Sequence, residues 1–217
     1  MRRLCTLLGM PQHRFASIHV VGTNGKTSVA RMTAALLDAH GIRSGTYLSP
    51  HIHDWRERIV IVGEPIAEPA FLDALERTEE KAQIADRAAG EEGPVTQFEL
   101  LTAAAYLALA NAHVKVGVIE AGLGGRLDAT NVIPSRVTVL TSIGLDHTEW
   151  LGDTLAEIAA EKLAVLRDHT VLVRGTLPPE AEEVAAREIE HHHAEVVAPS
   201  SLDGLPTAGL APYQRAN

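Results

Sequence analysis

S-I-H-V-V-G-T-N-G-K-T-S-V-A-R-M-T, Ser17 to Thr33, is the stretch that decides the fold of this chain. A short β-prone run, Ile18 to Val21, meets the turn Gly22-Thr23-Asn24-Gly25, and Lys26, Thr27 and Ser28 open a helical pattern. A strand, a glycine turn and a helix N-terminus bring backbone N–H groups, the helix dipole and a lysine to one point. That point favours an anion such as a triphosphate. A hydroxyl beside the lysine stands where a phosphate-bound Mg²⁺ takes an oxygen ligand. The long Walker pattern would need glycine at position 20, where the chain has Val20, so the match is to a shortened form, G-T-N-G-K-T. A glycine turn with a solvated lysine is the plainer alternative.

Outward from this loop, Val29, Met32, Ala35, Leu36 and Ala39 recur at helical spacing over 27–40, with Gly41 just past the end. A strand follows at 44–48 and ends in Ser49-Pro50-His51, completing a βαβ unit. Upstream, Leu4, Leu7 and Leu8 fit a helix stopped by Gly9 and Pro11. Downstream, 56–65 reads as a strand with a turn at Gly63, and 68–89 as a long charged helix whose Glu76, Glu79 and Glu80 form a solvated face. The Ala- and Leu-rich helix 96–112 opens on a capping box, Thr96 with Glu99. Val114 to Glu120 and Val137 to Ile143 are near-continuous apolar runs, as in the middle of a parallel sheet. A helix at 154–166, a strand at 170–173, a helix at 179–191 and a strand at 195–197 complete the alternation. The expected fold is an α/β, doubly wound, mostly parallel sheet flanked by helices, of the P-loop NTPase-like kind.

The 217 residues suit one domain, 1–217, and 46% hydrophobic with 22% charged residues suits a globular core. A formal net charge of -9 argues against non-specific nucleic-acid or anionic-membrane binding, though a cationic loop can still hold a nucleotide. The single cysteine, Cys5, excludes an internal disulfide and reads as a small apolar residue. With no apolar run of membrane-spanning length, the expectation is a cytoplasmic protein, and a monomer.

Ligands in such sheets lie beyond the C-terminal ends of the strands. Four of the expected strand ends carry chemistry: the lysine loop, Ser49 with His51, Glu120, and Asp146 with His147. Their convergence would make an oxygen-and-imidazole site suited to Mg²⁺ beside a triphosphate. Singly, each has a plain reading as a strand-end hydrogen bonder, a surface acid or a satisfied histidine. Lys162 lies on the apolar stripe of its helix, with Leu155, Ile158, Ala159, Leu163 and Leu166. It either snorkels to water or sits in the site. A buried lysine tends to become neutral, and a neutral amine can add CO₂ to form a carbamate. The run His191-His192-His193 reads as a solvated helix end.

These motifs together resemble the folylpolyglutamate synthase and dihydrofolate synthase family, within the Mur ligase superfamily. I-H-V-V-G-T-N-G-K-T-S is similar to its first signature and V-I-E-A-G-L-G-G-R-L-D-A-T-N-V-I to its second. Y-L-S-P-H-I with the later E-R-I, T-Q-F-E-L-L-T, and G-L-D-H-T followed by A-E-K agree in order and spacing. The resemblance implies that Gly22, Thr23, Asn24, Gly25, Lys26, Thr27 and Ser28 hold the ATP phosphates. It implies Ser49, Glu120 and His147 as ligands to magnesium, and Lys26, His147 and Lys162 as the catalytic set, with Lys162 carrying the carbamate. It places Arg126 and Asp128 on the site's glycine loop and His51 and Arg58 near the pterin-bearing substrate. Gln214 and Asn217 would lie near the nucleotide. The implied reaction is ATP-dependent addition of L-glutamate to a folate or dihydropteroate carboxylate through an acyl phosphate. Family members often have glycine at the place of Thr27, which leaves open whether Thr27 or Ser28 serves the metal. The family's C-terminal glutamate-ligase domain has no counterpart in this sequence. A nucleotide-binding fragment without ligase activity, or another Mur-type amide ligase, are the competing readings.

Overall fold

The computed structural model describes residues 1–88, 90 and 93–198. One eight-stranded sheet runs through it in the order β4-β3-β2-β5-β1-β6-β7-β8. The strands are β1 Ala16–Val21, β2 Ser44–Tyr47, β3 Ile59–Ile61, β4 Glu64–Pro65, β5 Val116–Glu120, β6 Val137–Leu140, β7 Val171–Arg174 and β8 Glu195–Val197. From β2 to β8 every pairing is parallel, and β3 runs antiparallel to both of its neighbours, β2 and β4. The helices are α1 Arg2–Leu7, α2 Lys26–Ala39, α3 Glu68–Arg87, α4 Gln97–Asn111, α5 Thr148–Leu151, α6 Leu155–Leu163 and α7 Pro179–His191. This is the expected doubly wound architecture, with β1 at the centre between β5 and β6.

Alternation along the inner strands sends side chains to two cores. Val20, Val118 and Leu48 meet Ala30 and Ala34 of α2 on one face. Ile119 and Tyr47 meet Ala105 and Leu109 of α4 on the other, and beside them Val21, Leu140 and Leu172 meet Ile158 of α6 and Val184 of α7. Packing on both faces explains why these strands read as apolar runs rather than alternating ones. Helix α4 is apolar nearly all round because it is wedged between the sheet and α3, which adds Phe71 and Ala74 to the same core. Its capping box is formed, with Glu99 N donating to Thr96 Oγ1 and Thr96 N to Glu99 Oε2.

The structure departs from the sequence reading at element ends. Residues 55–58 form a short 3₁₀ helix, where 56–58 read as strand, because Asp54 and Glu57 make a capping box there. Only 59–61 and 64–65 pair, as a hairpin turning at Val62 and Gly63. The strand read over 137–143 leaves the sheet after Leu140, and the helix read over 154–166 spans Leu155–Leu163. The one-turn helix α5 was not legible. The histidine run does not simply end in water: His192 Nδ1 lies 2.8 Å from Asp168 Oδ1, and the His193 ring stacks on His169. Cys5 is buried, and Glu76, Glu79 and Glu80 are exposed, as expected.

Candidate nucleotide and ligase site

The centre of the site is the carbonyl of Gly22. Lys26 Nζ donates to it at 3.1 Å and Lys162 Nζ at 3.0 Å, so one backbone oxygen is shared by two amines. Lys26 also reaches the Thr23 carbonyl at 3.1 Å. Gly22 is obligatory at this crossing. Its φ is +144°, and a Cβ there would stand 2.0 Å from Thr141 Oγ1. Helix α2 begins at Lys26 with Gly25 as its cap and no side-chain acceptor on its first-turn amides. Uncapped amides beside two amines are an anion cradle. The loop is stitched to 141–144 beyond β6: Thr23 Oγ1 and the Gly144 backbone bond both ways, Asn24 N donates to Ser142 Oγ, and Thr141 Oγ1 donates to Asn24 O at 2.6 Å. The Thr23 hydroxyl therefore serves to join two loops.

Lys162 has 4% of its surface exposed. Burial first, and then the Lys26 charge, pulls its amine down to about 8. The side chain does not snorkel to water; it is buried and turned onto the Gly22 carbonyl of the lysine loop. The loop before it is built to let α6 approach: a Cβ at Gly125 would fall 2.5 Å from Glu161 O and 2.9 Å from Lys162 O.

Glu120 ends β5 beside the lysine loop and is 2% exposed. Its carboxylate accepts from Thr27 Oγ1 at 2.9 and 3.0 Å and from Ser49 N at 3.2 Å, with no cationic side chain among the described residues in hydrogen-bonding contact. Burial raises its pKa against those hydrogen bonds and the more distant Lys26 and Arg31 charges. Thr27, not Ser28, is the hydroxyl that the fold turns toward this acid. Ser49, Thr27 and Glu120 thus come together. His147 stands on the 141–147 loop, more than half exposed, with its ring 3.7 Å from Asp146. Among the described residues no three His, Cys, Asp or Glu side chains are grouped as a metal site. A divalent ion at Glu120 would need hydroxyl, water or phosphate oxygens to complete its shell.

The other site residues fall in two further places. His51 Nδ1 accepts from Arg58 Nε at 2.9 Å, and the His51 ring and Arg58 guanidinium lie 4.1 and 5.2 Å from the Trp55 ring centre. Trp55 carried no signal in the sequence. Arg126 and Asp128 line a cavity of about 480 Å³ with Glu99 and Asn131. Arg126 Nε is paired with Glu161 at 2.9 Å. Asp128 accepts from Leu123 N and Thr130 N, which holds its own loop. Gln214 and Asn217 lie outside the described residues.

The Mur ligase middle domain model matches residues 20–198. The chain belongs to the Mur ligase middle-domain family. A dihydrofolate synthase/folylpolyglutamate synthase from Mycobacterium tuberculosis is 43% identical to this Mur ligase domain over 204 residues, covering 89% of this chain and 42% of the relative. Among solved structures, M. tuberculosis folylpolyglutamate synthase (FPGS) complexed with ADP and AMPPCP superposes with a TM-score of 0.87 at 41% identity, covering 91% of this chain and 46% of that one. An FPGS–AMPPCP–folate complex superposes at 0.85 and 38%, covering 91% and 48%. The chain spans less than half the length of the curated relatives it matches. No helix among its described residues is long and apolar enough to cross a membrane.

Proposed function

We propose that this domain is the nucleotide-binding unit of an ATP-dependent ligase that joins L-glutamate to a folate or dihydropteroate carboxylate. The observation that carries the reading is the pair of amines, Lys26 and Lys162, converging on the Gly22 carbonyl at an uncapped helix start. The Lys26 charge and the first-turn amides of α2 concentrate positive potential at this point, which a triphosphate would match. The relatives' names and the nucleotide and folate in their structures support the rest.

In this reading Lys26 and the first-turn amides of α2 hold the β- and γ-phosphoryl oxygens. They counter the charge that spreads over the γ-phosphoryl group as the substrate carboxylate attacks phosphorus and ADP leaves. The acyl phosphate is then opened by the glutamate amine, with inorganic phosphate departing. A buried acid with hydroxyl neighbours and no bonded cation fits a hard divalent ion, so Glu120, Ser49 and His147 would hold Mg²⁺. Mg²⁺ bound there would neutralise phosphate charge. Lys162 fits a carbamate because its amine is already easily made neutral, and adding CO₂ replaces a cation beside Lys26 with an anion. Starting from the ammonium, two protons leave, one to free the amine and one as the C–N bond to CO₂ forms, and the remaining N–H can still donate to Gly22. His51 and Arg58, near Trp55, would approach the pterin-bearing substrate, and Arg126 and Asp128 would line the site on their glycine loop.

The test is calorimetric titration of the chain with ATP, with and without Mg²⁺, followed by product analysis on the full-length ligase given ATP, dihydropteroate or tetrahydrofolate, and glutamate. Mg²⁺-dependent ATP binding and a glutamylated product are expected. Absence of ATP binding refutes the reading.

A further inference from the structure

His19 sits in the middle of β1, fully buried, and no step above uses it. Its Nε2 lies 2.8 Å from Thr130 Oγ1. The Thr130 hydroxyl donates in turn to Asp128 Oδ1, and the other carboxylate oxygen accepts from Leu123 N at 2.8 Å. A hydroxyl has one proton. Because Thr130 gives it to Asp128, its oxygen must accept from His19, so Nε2 carries the hydrogen. Nδ1 is then bare, and it has no hydrogen-bond partner among the described residues. Burial, with the Arg167 charge adding to it, pulls the imidazole down to about 3, so the ring stays neutral at physiological pH.

A leucine would fill the same space without leaving a buried nitrogen unsatisfied. What the imidazole adds is a donor on one side of Thr130, which forces the hydroxyl proton toward Asp128. An acceptor there would turn the hydroxyl away and release the carboxylate. Two further bonds hold the same turn: Tyr106 OH donates to Thr130 O at 3.2 Å, and Asn131 Nδ2 donates to Arg126 O at 3.0 Å.

We propose that His19, as its neutral Nε2–H tautomer, is a positioning residue that fixes the glycine loop bearing Arg126 and Asp128 through Thr130. What that loop contacts rests on the ligase reading above; the relay itself does not.

Nitrogen NMR of the imidazole in the wild-type chain at pH 7 should show Nε2 protonated and Nδ1 bare. An Nδ1–H tautomer or an imidazolium overturns the proposal. Hydrogen exchange at the Leu123 amide reads the loop. His19→Leu and Thr130→Val should speed it about tenfold, as for loss of one ordinary hydrogen bond, while His19→Gln, whose amide can reach as Nε2 does, stays within about threefold of wild type. Unchanged exchange in His19→Leu, or His19→Gln matching His19→Leu, overturns it. If His19→Leu does not fold, Thr130→Val and the wild-type tautomer decide. ADP affinity should change less than about twofold in His19→Leu, whereas affinity for a pteroyl carboxylate falls; an equal fall in both means general damage and overturns the proposal. A wild-type chain that binds no pteroyl compound refutes the ligase reading and leaves the exchange result standing.

Discussion

Lys162→Met should stabilise the protein while abolishing its chemistry. The folded-state amine is pulled from 10.5 to about 8. That difference corresponds to roughly 3 kcal/mol disfavouring the charged amine in the folded state. Methionine fills similar volume and loses one hydrogen bond, about 1 kcal/mol. The Gly22 carbonyl is not orphaned, since Lys26 still donates to it. The net expectation is a gain of about 2 kcal/mol at pH 7, or a melting temperature higher by about 4–8 °C. Below pH 8 the amine is charged in both states, so the penalty is fully present. As pH rises through 8 toward 10.5, the folded amine loses its proton first, the unfolded chain binds more protons, and wild-type stability rises. The advantage of the variant should therefore shrink over that window. Urea unfolding at pH 7 and pH 10 in CO₂-depleted buffer measures both numbers. Destabilisation by more than about 1 kcal/mol at pH 7, or a gain that does not change with pH, refutes the reasoning.

His19 gives the opposite acid-side behaviour. Its pKa falls from 6.5 to about 3 on folding, so its contribution is complete above pH 6.5 and is lost as pH falls toward 3. About 2 kcal/mol should go by pH 5, and His19→Gln should lose that much less between pH 7.5 and pH 5 in urea unfolding. Lys26→Ala should weaken ATP binding by about tenfold or more, with a smaller dependence on ionic strength, checked by titration at two salt concentrations. Glu120→Gln keeps acceptor and shape, so urea unfolding at pH 7 should place it within about 1 kcal/mol of wild type. The Mg²⁺-dependence of ATP binding should disappear; if it persists, Glu120 is not the metal's anchor. Gly22→Ala should unfold the loop or fail to express, because its Cβ meets Thr141 Oγ1 at 2.0 Å; a stable, ATP-binding variant contradicts the geometry.

The lysine loop was legible because a strand, a glycine turn and a helix start each have a local chemical cause, and Lys162 was legible as a charge on an apolar stripe. Sheet order was not. Nothing local says that β5, some 70 residues on in sequence, slides between β1 and β2. Residues 56–58 read as strand because they run straight into the β-prone Ile59-Val60-Ile61, while the acid pair that caps them acts through geometry a pattern does not carry. His19 was hidden for the same reason: in I-H-V-V it looks like one more strand residue, and its partner Thr130 is 111 residues away.

The sheet order has one more consequence. The strands that end at Ser49, Glu120, the lysine loop and the 141–147 loop are the four contiguous ones, β2, β5, β1 and β6, with a hairpin outside them on one side and β7–β8 on the other. Edge strands fray first, and here none of them ends at the lysine loop, Ser49 or Glu120. The molecule can lose hydrogen bonds at either rim, transiently and repeatedly, without disturbing the crossing at Gly22. The outer strands act as sacrificial margins, and the last part of the sheet to open is the part around which the site is assembled.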